Sequence, residues 1–175
     1  MPTHMEIVLR AAAFAAEKHR EGRRKDEEAS PYINHPIQAA HILVRAGIED
    51  PAVLAGALLH DTVEDTRTTV DELEVVFGYE IANIVAECTD DKRLGKLERK
   101  QAQIDHAAKL SHKAKLVKLA DKIANVNDIN GAPPAGWSLE RKREYYDWAK
   151  RVVDQMRGTH PGLEALFDAE YAKRP

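Results

Sequence analysis

No stretch of this chain alternates apolar and polar residues over the length of a strand; helical spacing recurs from one end to the other instead. That absence leaves a fold of packed helices as the expectation. Glu6–His19 places Val8, Ala11, Ala12 and Ala15 on one face, with Gly22 beyond its end. Pro36 opens a second helix that Gly47 closes, because proline suits a first turn and glycine a helix exit. Pro51 opens a third, Pro51–Asp65, on which Leu54, Ala57, Leu58 and Asp61 share a face. Thr69-Val-Asp-Glu72 reads as a capping box ahead of Leu73, Val76 and Phe77, with Gly78 as the stop. Ile81, Ile84 and Val85 mark a fifth helix, and Leu97–Leu110 a mostly polar one facing solvent. Lys113–Ile129 carries a buried stripe of Leu116, Leu119, Ala120 and Ile123. Asn130–Trp137, with two prolines and two glycines, is a loop. Ser138 caps a helix running to about Arg157, and a short helix follows Pro161. With no repeat, linker or low-complexity tract, residues 1–175 are expected to form a single all-α domain.

Composition removes several classes of function. Lys plus Arg total 26 and Asp plus Glu 29, a net charge of −3, which argues against a duplex-binding protein and its strongly basic face. Cys88 is the only cysteine, so disulfide frameworks, thiolate zinc sites and iron–sulfur clusters are excluded, and the residue is expected to be a small buried group in a reducing compartment. No apolar run approaches the ~20 residues that span a bilayer. The start, Met-Pro-Thr-His-Met-Glu, lacks a basic segment followed by an apolar signal core, so a cytoplasmic protein without membrane contact is expected. The surface pattern leaves monomer and dimer equally open.

The chemistry lies in separated short segments. His60-Asp61 follows the apolar run Leu54-Ala-Gly-Ala-Leu-Leu59, and a buried carboxylate beside an imidazole needs a partner, either a divalent cation or a hydrogen-bonded core pair. Glu64 follows His60 by four residues and Asp65 follows Asp61 by four, which returns both acids to the same helical face. Three carboxylates and one imidazole on one face repel unless something cationic sits among them, which favours the metal. Asp121 is again a lone acid in an apolar stripe, with Asn125 one turn later; pairing with Lys118 or Lys122 at the surface is the plainer reading. His35 stands at a helix start, where capping or core packing is the alternative to ligation. Arg23-Arg24-Lys25, ending ten residues before His35, reads on its own as a solvated charge run.

Taken together the segments resemble the HD superfamily of metal-dependent phosphohydrolases, which carry an H…HD…D pattern on a helical core. Tyr32-Ile-Asn-His35-Pro36, Ala57-Leu-Leu-His60-Asp61-Thr-Val-Glu64-Asp65-Thr66, Thr89-Asp-Asp-Lys92 and Lys115-Leu-Val-Lys-Leu-Ala-Asp121-Lys122 are similar to the RelA/SpoT-type alarmone hydrolases. Gly136-Trp-Ser-Leu-Glu-Arg-Lys-Arg-Glu-Tyr-Tyr-Asp-Trp148-Ala149 resembles their small single-domain branch, the metazoan SpoT-homologue type. The likeness runs from about Glu6 to Phe167, and the 175 residues leave no room beside it for a synthetase domain.

The resemblance implies that His35, His60, Asp61 and Asp121 ligate Mn²⁺, a mixed nitrogen and oxygen set that leaves water positions on an octahedral ion. It implies that Glu64 and Asp65 are the catalytic acidic pair, and that Arg24, Lys25, Lys96, Asn125, Arg141 and Tyr145 line the nucleotide pocket. One departure is plain: the family's Asn-Leu-Arg-Asp is here Asn125-Val-Asn-Asp128, so Asn127 replaces a cation. The implied activity is hydrolysis of guanosine tetra- and pentaphosphate (ppGpp and pppGpp) to GDP or GTP and pyrophosphate. Behind it stand action on another nucleotide such as NADPH, a non-catalytic alarmone-binding module, and a metal-stabilised scaffold. The intact Glu64-Asp65 pair disfavours the last two, since neither binding nor structure needs two extra acids beside an ion.

Overall fold

A computed structural model describes all residues 1–175 as ten helices: α1 (His4–Lys18), α2 (Asn34–Arg45), α3 (Pro51–Leu59), α4 (Thr62–Asp65), α5 (Val70–Phe77), α6 (Tyr79–Cys88), α7 (Lys96–Ala107), α8 (His112–Gly131), α9 (Leu139–Asp154) and α10 (Pro161–Tyr171). There is no strand, and extended pairing is limited to two isolated bridges, Arg23 with Pro31 and Asp26 with Pro134. No helix is long and apolar enough to cross a membrane.

Local chemistry starts most of these helices. The side chains of Thr3, Asp50, Thr69, Ser111, Ser138 and His160 each accept a backbone N–H from the first turn that follows, satisfying donors the helix leaves unpaired. The expected capping box at Thr69 is half formed. Thr69 Oγ1 accepts from Glu72 N, but the Glu72 carboxylate turns to Lys18 Nζ at 2.7 Å and ties α5 to α1. Gly78 ends α5 at φ +87°, a conformation costly for any residue with a Cβ. The helix expected to reach Arg157 stops at Asp154.

α3 is the axis of the fold. Every residue from Ala52 to Leu59 is buried, not one face alone, and α1, α2, α6 and α8 pack around it. Gly56 permits the close packing of α6, for a Cβ there would lie 2.7 Å from Ile84 Cγ2. α8 is the second buried element, in contact with α2, α3, α6, α9 and α10. α7 differs: only Ala107 is buried, and the helix rests mainly on α9. Cys88 is buried and free, as expected.

The third expected helix does not run unbroken from Pro51 to Asp65. It breaks at His60-Asp61, between α3 and α4. The carbonyls freed by the break are taken up by side chains: His60 Nδ1 donates to Ala57 O at 2.6 Å, and Thr62 Oγ1 to Leu59 O at 2.7 Å.

Candidate metal centre and active cleft

His35 enters from the first turn of α2, His60 and Asp61 from the α3–α4 break, and Asp121 from the middle of α8. His35, His60 and Asp121 are 2%, 4% and 8% exposed. Asp121 Oδ1 lies 2.9 Å from His35 Nε2 and 3.3 Å from His60 Nε2, while Asp61 Oδ2 lies 3.1 Å from His60 Nε2 and 3.8 Å from His35 Nε2. The four side chains expected to ligate are therefore gathered at one point. Asp121 is not the surface acid its lysine neighbours suggested.

The donor set fits a cation. Because Nδ1–H of His60 is committed to the Ala57 carbonyl, Nε2 presents a lone pair, and that buried nitrogen has no hydrogen-bond partner although two carboxylates face it. Lone pair against carboxylate is repulsive unless a positive charge lies between. Burial lowers the His60 pKa, but the charges of Asp61 and Asp121 outweigh it and hold the value well above 6.5. Burial raises Asp61 and Asp121, yet both end below the carboxylate range, through His60 in the first case and the Lys122 ammonium in the second.

Asp61, Glu64 and Asp65 form a second cluster whose carboxylate oxygens lie within 4.8 Å of one another. Tyr32 Oη donates to Asp61 Oδ2 at 2.6 Å. Glu64 accepts the backbone N–H of Asp90 at 2.7 Å, but burial pushes its pKa up to about 7, aided by the charges of Asp90, Asp61 and Asp65. Burial and Asp61 also raise Asp65, against which Lys92 Nζ stands at 3.7 Å. The expected acidic pair is thus adjacent to the ligand cluster and electrostatically uncomfortable.

The clusters line a two-lobed cleft, where His60, Asp61, Glu64 and Asp121 face one lobe and His35 and Asp65 border both. One lobe, about 620 Å³, is walled by Arg24, Trp137, Ile129 and Pro134; the other, about 440 Å³, by Lys92, Lys96, Arg99, Lys100 and Lys122. Lys25, Tyr32, Asn125 and Tyr145 border both. The 23–31 loop is pinned against the 132–137 loop by Ala135 N donating to Lys25 O at 2.7 Å, which brings Arg24 and Lys25 to the cleft. Arg24 is oriented by Asp128 Oδ2 at 2.8 Å and lies over the Tyr32 ring. Asn125 Nδ2 donates to Asp121 Oδ1 at 2.9 Å, so it also braces the ligand cluster. Arg141 departs from expectation: it lines neither lobe and stacks its guanidinium on the outer Trp137 ring at 4.3 Å. Asn127 turns away as well, accepting from Gln38.

Sequence reasoning missed Lys100, Lys118, Lys122 and Trp148. Lys118 and Lys122 are 7% and 3% exposed, and the Lys122 ammonium sits 4.3 Å over the Trp148 ring and 3.3 Å from Asp121 Oδ2. Their four-residue spacing on the Asp121 stripe was a visible signal, read as surface pairing. Trp148 and Lys100 meet across helices, with Trp148 Nε1 donating to Lys100 O at 3.0 Å, and nothing in the sequence announces that.

Comparison with known proteins agrees with this geometry. The family model described as HD domain matches residues 11–147. Guanosine-3′,5′-bis(diphosphate) 3′-pyrophosphohydrolase MESH1 of Homo sapiens is 56% identical over 168 residues, covering 95% of this chain and 94% of that protein. Its counterpart in Xenopus tropicalis is 54% identical over 169 residues, covering 96% and 94%. A solved structure described as a metazoan orthologue of SpoT that hydrolyses ppGpp and plays a role in starvation responses superposes with a TM-score of 0.94 at 46% identity, covering 99% of this chain and 97% of that one.

Proposed function

Because the chain belongs to the HD domain family, and within it to the metazoan SpoT-homologue group of guanosine-3′,5′-bis(diphosphate) 3′-pyrophosphohydrolases, we propose that it removes the 3′-diphosphate of guanosine tetra- and pentaphosphate as pyrophosphate. The observation that carries this reading is the convergence of His35 Nε2, His60 Nε2, Asp61 Oδ2 and Asp121 Oδ1 beside Glu64 and Asp65, in a cleft with a lysine-rich lobe.

Those four side chains would hold one divalent ion, and Mn²⁺ suits two imidazoles with two carboxylates. When bound, such an ion supplies Lewis-acid polarisation and activation of water. The remaining work falls to the chain. Glu64, with a pKa near 7, is partly ionised at neutral pH and is suited to taking a proton from water. Asp65 beside it holds the same water by a second acceptor. The water oxygen bonds to the phosphorus attached at the ribose 3′-oxygen, the P–O bond to the ribose breaks, and the proton that Glu64 took from the water passes to the departing 3′-oxygen. Tyr145 and Trp137 offer flat apolar surface to the nucleoside, with Arg24 and Lys25 at hand for its 5′-phosphates. Lys96 and the lysines around it neutralise the departing diphosphate. Arg141 acts through Trp137, by fixing its ring. A reducing cytoplasm suits a chain whose one cysteine is free and buried.

The deciding experiment is a panel of ppGpp, pppGpp, GTP, NADPH and dNTPs at equal concentration, after chelation and return of Mn²⁺ or Mg²⁺. Intact pyrophosphate should appear first from ppGpp and pppGpp, fastest with Mn²⁺, and GTP should be nearly inert. Orthophosphate appearing first, or NADPH or GTP consumed as fast as ppGpp, would replace this reading with a general nucleotide phosphohydrolase.

A further inference from the structure

Glu64 has one hydrogen bond, from the Asp90 backbone N–H at 2.7 Å, so whatever fixes that amide fixes the carboxylate. Asp90 lies in the connection between α6 and α7. The near end of this connection is anchored from below, where Lys118 Nζ donates to Cys88 O at 3.4 Å and Thr89 Oγ1 to Val85 O at 2.7 Å. At Asp90 itself the anchor is a side chain of α7: Gln103 Nε2 donates to Asp90 Oδ2 at 2.8 Å. The other end of the same amide, Gln103 Oε1, is buried with no partner, and Gln103 lines the lysine lobe. A buried amide left half unsatisfied beside a charged cleft is held there by something other than its own solvation.

We propose that Gln103 is a positioning residue that aims the Glu64 carboxylate through the Asp90 amide. Lys96, Lys100 and Gln103 follow one another at i, i+4 and i+7 on α7, and all three line the lobe. One helix therefore carries both the cations that meet the diphosphate and the amide that aims the acid. Since α7 rests mainly on α9 and buries little of itself, its seating is adjustable, and an anion drawn to its lysines seats Gln103 as well. The catalytic consequence rests on reading Glu64 as the group that takes the proton; the hydrogen-bond relay itself does not.

The test uses near-isosteric exchanges in the full chain with Mn²⁺ present. Gln103→Glu sets two carboxylates against each other at Asp90. The double variant Asp90→Asn with Gln103→Glu restores a donor and an acceptor, with the original charge. Two quantities are read: amide hydrogen exchange at position 90, which needs no substrate, and the kcat and KM for ppGpp. In Gln103→Glu exchange at position 90 should quicken about tenfold, and kcat should fall about tenfold with KM within about twofold. The double variant should return both to within about threefold of the parent. Exchange unchanged in Gln103→Glu, or a loss that the double variant does not repair, overturns the relay. If the parent turns over no ppGpp, the functional proposal fails while the exchange data still decide the relay.

Discussion

α8 and α7 both bring charge to the cleft, and they do so on opposite terms. α8 is wedged among five helices, so Asp121, Lys118 and Lys122 are fixed by the core before any ligand arrives. α7 is exposed at half of its residues, with Lys96 in solvent and Lys100 and Gln103 half-buried. Ligand atoms for an ion tolerate little misplacement and belong on the rigid element. Side chains that must follow a flexible phosphate chain belong on the adjustable one. Changes on α8 should therefore damage stability as well as turnover, and changes on α7 turnover alone.

Glu64 stands where the two regions meet, and its loss should be the largest effect. Glu64→Gln keeps shape and the Asp90 contact while removing the proton acceptor. Turnover of ppGpp should fall by about 10²–10⁴, and Asp65→Asn should fall in the same range. Equilibrium dialysis should find Mn²⁺ still bound in both. A parental rate in either variant would remove that residue from the chemistry.

Next in size is Lys122→Met on α8, which strips a buried ammonium from Asp121. Urea unfolding should register a loss of about 3 kcal/mol, since breaking a buried ion pair by removing one partner costs that much. An unchanged midpoint would mean that α8 is no more rigidly committed than α7.

The third effect concerns pH. In the chelated protein the Glu64 pKa is raised from 4.5 to about 7. A raised carboxyl contributes its full stability below the unfolded value and loses it as pH climbs through the folded one. Chelated Glu64→Gln should therefore be more stable than the parent at pH 8, by on the order of 2 kcal/mol, with the gap closing below pH 4.5. Denaturation midpoints at the two pH values check it; a gap of opposite sign would show that Glu64 is not strained.

Smallest is Lys100→Ala on α7. KM for ppGpp should rise about tenfold with kcat nearly unchanged, since the charge is remote from the reacting phosphorus. Thermal unfolding should shift by no more than about 1 kcal/mol, the size of the cation–π contacts that Lys100 makes with Tyr145 and Trp148. Equal losses of stability from Lys100→Ala and Lys122→Met would dissolve the contrast between the helices.

The sequence made α8 more legible than α7. Periodicity located both, but the His35, His60, Asp61 and Asp121 set came through the resemblance to the HD superfamily, since each residue alone also admits a capping, core or surface-pairing reading. The helix break at His60-Asp61 was hidden, because its cost is met by side-chain bonds to Ala57 and Leu59 that local propensity does not encode. Lys118 and Lys122 looked like surface charges, since lysine is seldom buried and only the Asp121 cluster and Trp148 make it tolerable here. Arg141 was assigned to the pocket by likeness, and its stacking on Trp137 depends on a loop conformation no spacing predicts.

The contact between His35 and Asp121 joins residues 86 apart in sequence, and the one between His35 and Asp61 joins α2 to the α3–α4 break. Loops of that length close late, because their entropy is surrendered before the contact returns anything. The cluster is thus expected to form in the last steps of assembly, after the transition state. Whatever binds it acts as a brake on escape from the native state and leaves the approach to that state unhurried. Stopped-flow traces with and without Mn²⁺ should differ in the unfolding limb and coincide in the folding limb, and a folding rate that rises with Mn²⁺ would place the cluster early instead.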